Sequence, residues 1–448
     1  MNLYERLTSN RYDYRNGNSS FKFIDFMNTD MIGATDALSF RGEENAIRQI
    51  VRSVFSFQRY EPYNPYVFHK VIPSARNIHP NEAFLIEDGE ICRFNPKGNC
   101  FEMIGFSERH KGKLWIVIAS ELWRIMKFYG EFGLALSLLD VGHIQAHLKL
   151  KLVAAGYEKA ILLEGINGKH LSNCLGFSDS SACIGCVIDL SEYLGKSEEE
   201  PIPENYRMIS YTIKRKYDYE DEIRRYPAVI NFLKQVEVSR RVRIAQSEAA
   251  KKMCSVLRYE LLRNSGHSTQ GLFSTLDRIE TDTVMRYATA TAGYIREYLD
   301  NGIRFRICFL YRAIDGQNYL IQVSGEGILR LESLESVHRE SLLHDTFEHI
   351  NMNSIPLDVF ILYQRDPICS EDNNIRQAHI GAGEISQYIS LMAAVDGFFA
   401  RPMKNFNDLN IMKLMGSDQE SDSIIYTTII GKENHYNYVF KLQGGNGA

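Results

Sequence analysis

At 448 residues, about three times a common domain length, the chain is long enough for two lobes with cores of their own. Its 44% apolar and 24% charged residues exclude a disordered or fibrous chain. A formal net charge of −5 excludes a general binder of nucleic acid or of anionic membranes, while leaving room for local basic pockets.

The first residues, MNLYERLTSNRYDYRNG, are polar and charged and lack an apolar signal core. No apolar run reaches membrane-spanning length, so a cytoplasmic protein with neither nucleic-acid nor membrane partners is expected. The 8 Cys are spread along the chain instead of forming a secreted disulfide framework, and reduced thiols are the default.

Further along, "IPSARNIHPNEAFLIEDGEICRFNPKG" reads as a hydroxyl-bearing, glycine-poor turn followed by an apolar strand. "WRIMKFYGEFGLALSLLDVGHIQAHLKLKLVAAGY" reads as an aromatic segment broken at Gly130, then a long apolar helix taken to begin after Gly142 and to stop at Gly156. His170, Cys174, Cys183 and Cys186 have a spacing a zinc site could use. The reading preferred here is that "ACIGCVID" is a strand holding both its cysteines as small hydrophobes, with no metal site. A charge-dense connector with prolines at 201 and 203 follows, and the lobe boundary is placed after Tyr226, giving lobes 1–226 and 227–448.

The second lobe repeats the first. "VGHIQAHLKLKLVAAGY" aligns without a gap on "AGEISQYISLMAAVDGF", setting Gly142, Ile144, Leu150 and Gly156 on Gly383, Ile385, Leu391 and Gly397. After a one-residue gap, Asn167 falls on Asn407 and Gly176 on Gly416. Each copy then enters a strand rich in β-branched residues, CIGCVIDL and SIIYTTIIG. A tandem duplication gives an intrachain counterpart of a twofold dimer, with a site expected at the lobe interface.

On these residues, P-S-A-x-x-x-H-P with "NEAFLI" and the following hairpin resembles the PSxGxxxP segment of nitroreductase-fold flavoproteins. "WRIMKFYGEFGLALSLLDVGHIQAHLKL" is similar to the "R…KYGxRxYR…LxAGHxxQNL" segment of the azoline dehydrogenases that mature ribosomally made peptides. The resemblance implies an α+β fold of two tandem nitroreductase-like lobes forming a pseudo-dimer. It implies FMN between them and two-electron oxidation of a thiazoline or oxazoline in a modified peptide to the azole, with cyclodehydratase partner proteins. It also implies site residues. Pro73 and Ser74 would contact the flavin ring from the first lobe, and Arg240, Arg241, Arg243, Arg376 and Lys432 of the second would hold the phosphate. Gly383 and Glu384, read as a helix start, would donate toward an anion or ring heteroatom.

Tyr129 stands at the family's catalytic Lys-Tyr pair, but Phe128 takes the lysine's place, which makes Lys127, one residue off, the alternative proton acceptor. The second lobe has "YATATAGY" instead of a Pro-Ser loop and "PICSED" instead of a Lys-Tyr pair, so the lobes have degenerated in complementary ways. Taken alone, Ser74 is an ordinary turn hydroxyl, the arginines a solvated helix face, Tyr129 a packed aromatic and His143 a satisfied core histidine. Two rival functions stand beside the azoline reading: another flavin-dependent reaction on a small molecule, and a non-catalytic scaffold that binds a peptide or partner enzyme.

Overall fold

The computed structural model describes residues 31–32, 45–62, 64, 66–96, 98–164, 168–177, 182–194, 214–215, 223–235, 240–244, 251, 253–266, 278–299, 302–343, 350–364, 371–417, 422–433 and 440–442. The chain divides into two compact units. The first takes Met1–Ser56, Ile78–Val141 and Lys151–Gln246, and the second Phe57–Asn77, Gly142–Leu150 and Ser247–Ala448. Residues 227–246, expected in the second lobe, therefore cluster with the first unit. The connector at prolines 201 and 203, Asn167 and residues 367–370 lie outside the described residues.

In the first unit, helix α1 (Ala46–Phe55) starts where the Asn45 side chain accepts the Arg48 N–H, and buries Ile47, Ile50, Val51, Val54 and Phe55 on one face. Strands β1 (Asn81–Glu87) and β2 (Glu90–Asn95) form a tight hairpin in which Asp88 and Gly89 both take positive φ, the geometry an Asp-Gly pair favours. There follow β3 (Cys100–Phe106), β4 (Leu114–Glu121), α2 (Leu122–Tyr129), α3 (Phe132–Ala154), β5 (Ile161–Glu164), α4 (Gly168–Cys174), β6 (Ala182–Asp189), α5 (Pro227–Gln235) and β7 (Arg240–Arg243). Leu171 of α4, with Leu175 and Phe177 beyond it, packs on Phe84, Val117, Ile184 and Val187 of the antiparallel sheet.

The second unit carries α6 (Thr281–Leu299), β8 (Arg304–Arg312), β9 (Asn318–Ser324), β10 (Gly327–Leu334), β11 (Leu357–Gln364), α7 (Glu371–Val395), β12 (Phe399–Met403), α8 (Asp408–Met415) and β13 (Asp422–Gly431). Helix α8 is capped by Asn407, whose side chain accepts the Asn410 N–H, and closed by Gly416 in the left-handed region. Its Ile411, Met412 and Met415 lie over Cys308, Leu310, Phe360 and Leu362.

The two sheets share one topology. The first runs β3-β2-β1-β4-β6-β5-β7 and the second β10-β9-β8-β11-β13-β12, antiparallel throughout, so each strand of the second occupies its counterpart's place and β7 is an added edge. Gly156 and Gly397 end their helices at φ 82° and 74°, as the aligned repeats predict. Mixed helix and antiparallel sheet is the fold class read from sequence.

Three readings need correction. Gly142 and Gly383 do not open helices: α3 begins at Phe132 and α7 at Glu371, and each glycine lies inside its helix, where a Cβ on Gly142 would meet Gly383 and the Ile380 carbonyl. Arg240, Arg241 and Arg243 form an edge strand paired with β5 in place of a helix face, and they belong to the first unit. His143 lies mid-helix in α3. Cys183 and Cys186 are buried in β6 as small apolar side chains. No helix among the described residues is long and apolar enough to cross a membrane.

Candidate functional site

The second unit contains the Pro-Ser loop. Short strands Arg59–Tyr60 and Phe68–His69 pair antiparallel, and Phe440–Lys441 pairs with the first of them. The chain then passes Pro73 and Ser74 into a turn over Ala75–Asn77, closed by the Asn77 N–H on the Ser74 carbonyl at 2.9 Å. Arg76, Asn77 and His79 have φ of 49°, 54° and 47°, so three residues with side chains hold a conformation that normally selects glycine. The Asn77 side-chain amide donates to the Phe68 carbonyl at 2.6 Å and pins the turn to the short strands. In the P-S-x-G-x-x-x-P pattern the glycine falls on Arg76, which keeps the glycine-like backbone and adds a guanidinium.

Beside this segment, and unmarked by any motif, are two buried arginines, Arg59 and Arg263, and half-buried Arg401. Arg59 donates to the Arg263 carbonyl at 2.6 Å, and Arg263 donates to Ser265 Oγ at 3.1 Å and to the Lys70 carbonyl at 3.4 Å. Arg401 donates through Nε to the Ser265 carbonyl at 2.8 Å. Glu61 lies 3.4 Å from Arg59 and 3.3 Å from His69. Burial, then the charge of Arg59, pull the Arg263 guanidinium down to about 9, and burial lowers Arg59 and Arg401 as well. Glu61 and Glu433 oppose these shifts without cancelling them, and Arg263 Nε is a buried donor with no hydrogen-bond partner among the described residues. A site with surplus buried positive charge and an unused donor is chemically suited to a dianion.

Helix α7 supplies the next group. Arg376 is buried in its early turns, and one turn on, His379 donates through Nδ1 to the Ile375 carbonyl at 2.8 Å and accepts at Nε2 from the Lys404 ammonium at 3.0 Å. Burial and then Lys404 hold His379 well below its ordinary range, so it is neutral. Gly383 lies in a helix crossing: a Cβ on Gly142 would overlap the Ile380 carbonyl oxygen and stand 2.8 Å from Gly383 Cα. Glu384 is fully buried and accepts from Gln145 and Lys149 at 2.7 Å, from Tyr294 at 2.6 Å and from Tyr298. The Gly383 and Glu384 N–H groups are inside a continuous helix and engaged in its ladder, so the anion-donating role read from a helix start does not apply to them. A second buried chain runs from Tyr426 to His143 Nε2 at 3.3 Å, from His143 Nδ1 to Gln387 Oε1 at 2.9 Å, from Gln387 to His147 Nδ1 at 3.2 Å, and from His147 Nε2 to Glu260 at 2.6 Å. Burial pulls His143 down to about 3.

Lys432 follows β13 directly and is exposed. Pro73, Ser74, Arg376, Gly383, Glu384 and Lys432 thus all belong to the second unit. Tyr129, Lys127, Arg240, Arg241 and Arg243 belong to the first. There, α2 is anchored by Arg124, which reaches Glu82 at 2.9 Å and Glu121 at 2.6 Å, and Glu82 also takes Arg93 at 2.7 Å. This anchorage fixes the start of the helix, whose far end bears half-buried Tyr129, with its ring edge-on to Phe132 at 6.1 Å, and exposed Lys127. Arg241 is two-thirds exposed, 3.6 Å from Asp189.

No protein-family model and no curated protein matches the chain. Among solved structures, a protein of Anabaena variabilis assigned as a nitroreductase aligns over 88% of this chain and 90% of its own, at 14% identity and a TM-score of 0.61. Shorter overlaps are found with the Escherichia coli microcin synthetase McbBCD complex with truncated pro-MccB17 bound (15% identity, 38% of this chain and 71% of that one, TM-score 0.28). A nitroreductase family protein of Clostridium difficile overlaps similarly (11% identity, 38% and 83%, TM-score 0.22). Two antiparallel sheets of common strand order, together with an alignment that runs nearly end to end, give this chain a nitroreductase fold.

Proposed function

We propose that the protein is an FMN-dependent oxidoreductase. The observation that carries this reading is the surplus of guanidinium groups at buried Arg59 and Arg263 and half-buried Arg401, in the same unit as the rigid Pro73 and Ser74 loop, in a chain of nitroreductase fold. The residues fit the cofactor. A phosphate dianion would neutralise the arginines and use the idle Arg263 donor, with Arg376 and Lys432 as further cations, and the loop would offer the ring a fixed hydroxyl at Ser74. Gly383 and Glu384 would act by holding the helices near that site. Arg240, Arg241 and Arg243 remain phosphate candidates, of which Arg241 and Arg243 are the weaker because their exposed side chains keep their charge solvated.

The reaction is proposed to be oxidation of a thiazoline or oxazoline in a ribosomally made peptide to the aromatic azole, in concert with cyclodehydratase partner proteins. When bound, the flavin would supply the hydride acceptor, and dioxygen would restore it. The proton lost from the neighbouring ring carbon is assigned to Tyr129 or Lys127, carried on a helix whose start is locked by Arg124. The common strand order supports a tandem duplication, with lobes 1–226 and 227–448 as its copies.

The test is purification followed by absorbance spectroscopy and FMN titration, then incubation with a peptide bearing thiazolines. Flavin uptake and a mass loss of two hydrogens per ring are expected. A colourless protein that takes up no FMN would overturn the enzyme reading in favour of a peptide-binding scaffold.

A further inference from the structure

Strand β10 is a terminal strand of the second sheet, and among the described residues β9 is its only sheet neighbour. Such an edge presents unpaired N–H and C=O groups, and an exposed apolar edge is a template for pairing with another chain. This one reads GILRLESL, with Ile328, Leu329 and Leu331 exposed by 39%, 53% and 52%. Arg330 and Glu332, two residues apart and so on one face of the strand, form an ion pair with each other. A bulge interrupts pairing with β9 next to Leu329, leaving 330–334 as its regular part.

The strand is complementary to itself. If two copies pair antiparallel about Leu331, each Arg330 faces a Glu332 of the other copy and Leu331 faces Leu331. Moving the centre by one residue to Glu332 sets Arg330 against Leu334 and the two Glu332 carboxylates against each other, so the charges select one register. We infer that β10 is the contact of a symmetric dimer, in which a second copy of this chain continues the sheet across a twofold axis at Leu331. The occupant is a second copy because the charge pattern matches its own reverse, as an isologous contact requires. The seam is short, so the association is concentration-dependent.

Sedimentation velocity of the full chain over a concentration series tests this. A monomer–dimer equilibrium is expected. Arg330→Glu and Glu332→Arg, each of which turns two attractive cross-strand pairs into repulsive ones, should each raise the dissociation constant about tenfold or more. The double variant Arg330→Glu/Glu332→Arg restores opposite charges at both pairs and should return the constant to near wild type. Both side chains are surface groups, and unchanged thermal melting of the variants would confirm an intact fold. A monomer at every concentration overturns the proposal. So does a dimer indifferent to the single changes, or one that the double change fails to rescue.

Discussion

Replacing Arg263 by Ala distinguishes a phosphate ligand from a structural tie. In the free protein the Arg263 guanidinium makes two neutral contacts, at 3.1 Å to Ser265 and 3.4 Å to the Lys70 carbonyl, while lying close enough to Arg59 for their like charges to repel. Losing those bonds costs about 1 kcal/mol each, and relief of Arg59 offsets part of that, so the fold should survive with a loss of about 1–2 kcal/mol. Toward a phosphate the same group would make charge-assisted bonds worth roughly 1.5–3 kcal/mol each, so the variant should bind FMN about 10²-fold more weakly. Titration of flavin-free protein with FMN and with riboflavin, followed by quenching of flavin fluorescence, separates the cases. The affinity for FMN should fall while that for riboflavin, which lacks the phosphate, stays within about twofold. Arg263→Lys keeps the charge but loses the planar fork, and should fall between. Equal weakening of both ligands, or no change in either, would refute a phosphate role for Arg263.

Tyr129→Phe should lower azoline turnover by about 10² to 10⁴ with flavin content unchanged, and Lys127→Ala run beside it reads which residue takes the proton. A variant emptied of flavin would instead make Tyr129 a cofactor ligand. Arg76→Gly removes a left-handed strain of roughly 1–2 kcal/mol against a glycine entropy cost of about 0.5–1 kcal/mol, so the midpoint of thermal unfolding should rise by about 1 °C. A fall would mean that contacts of the Arg76 side chain outweigh its strain. Asp358, fully buried beside Arg339, is pushed up to about 6 by burial in spite of that neighbour. Its folded value is raised above the unfolded one, so its stabilising contribution is full below 3.8 and lost as pH rises through about 6. Denaturation curves of wild type relative to Asp358→Asn should show this downward slope, and a flat difference would place the carboxylate's proton outside the folding equilibrium.

Local signals in the sequence identified local structure. The apolar strand after His79 and Pro80, the strand of Cys183 and Cys186, and the helix stops at Gly156 and Gly397 each rest on a few consecutive residues, and all stand where the pattern put them. Gly142 and Gly383 were misread because a glycine needed for close helix approach looks the same in sequence as a helix boundary. Arg240, Arg241 and Arg243 drew attention as a basic run, whereas the site's arginines with depressed guanidinium values are isolated in "FQRYEPY", "LLRNSGH" and "FFARPM". Their association depends on a hydrogen bond between residues 204 positions apart, which no local pattern encodes. A weak hint was present: Arg263 follows the apolar pair Leu261 and Leu262 at the end of a 3-10 turn, where a buried basic side chain needs a reason.

The crossing at Gly142 and Gly383 bears on how far the two repeats can now stand in for one another. The repeat alignment equates Gln145 and Lys149 with Ser386 and Ser390, and Gln387 with Ala146. A crossing of two α7 segments would set Glu384 against serines and strip the buried carboxylate of its ammonium partner. Two α3 segments would set His143 against alanine and leave its ring N–H without the Gln387 carbonyl. Each helix carries groups the other lacks, and the cost of an unmatched buried charge or donor would fall on any like-with-like pairing. The two glycines meet at the crossing as equals, while the residues around them fit it to unlike partners alone.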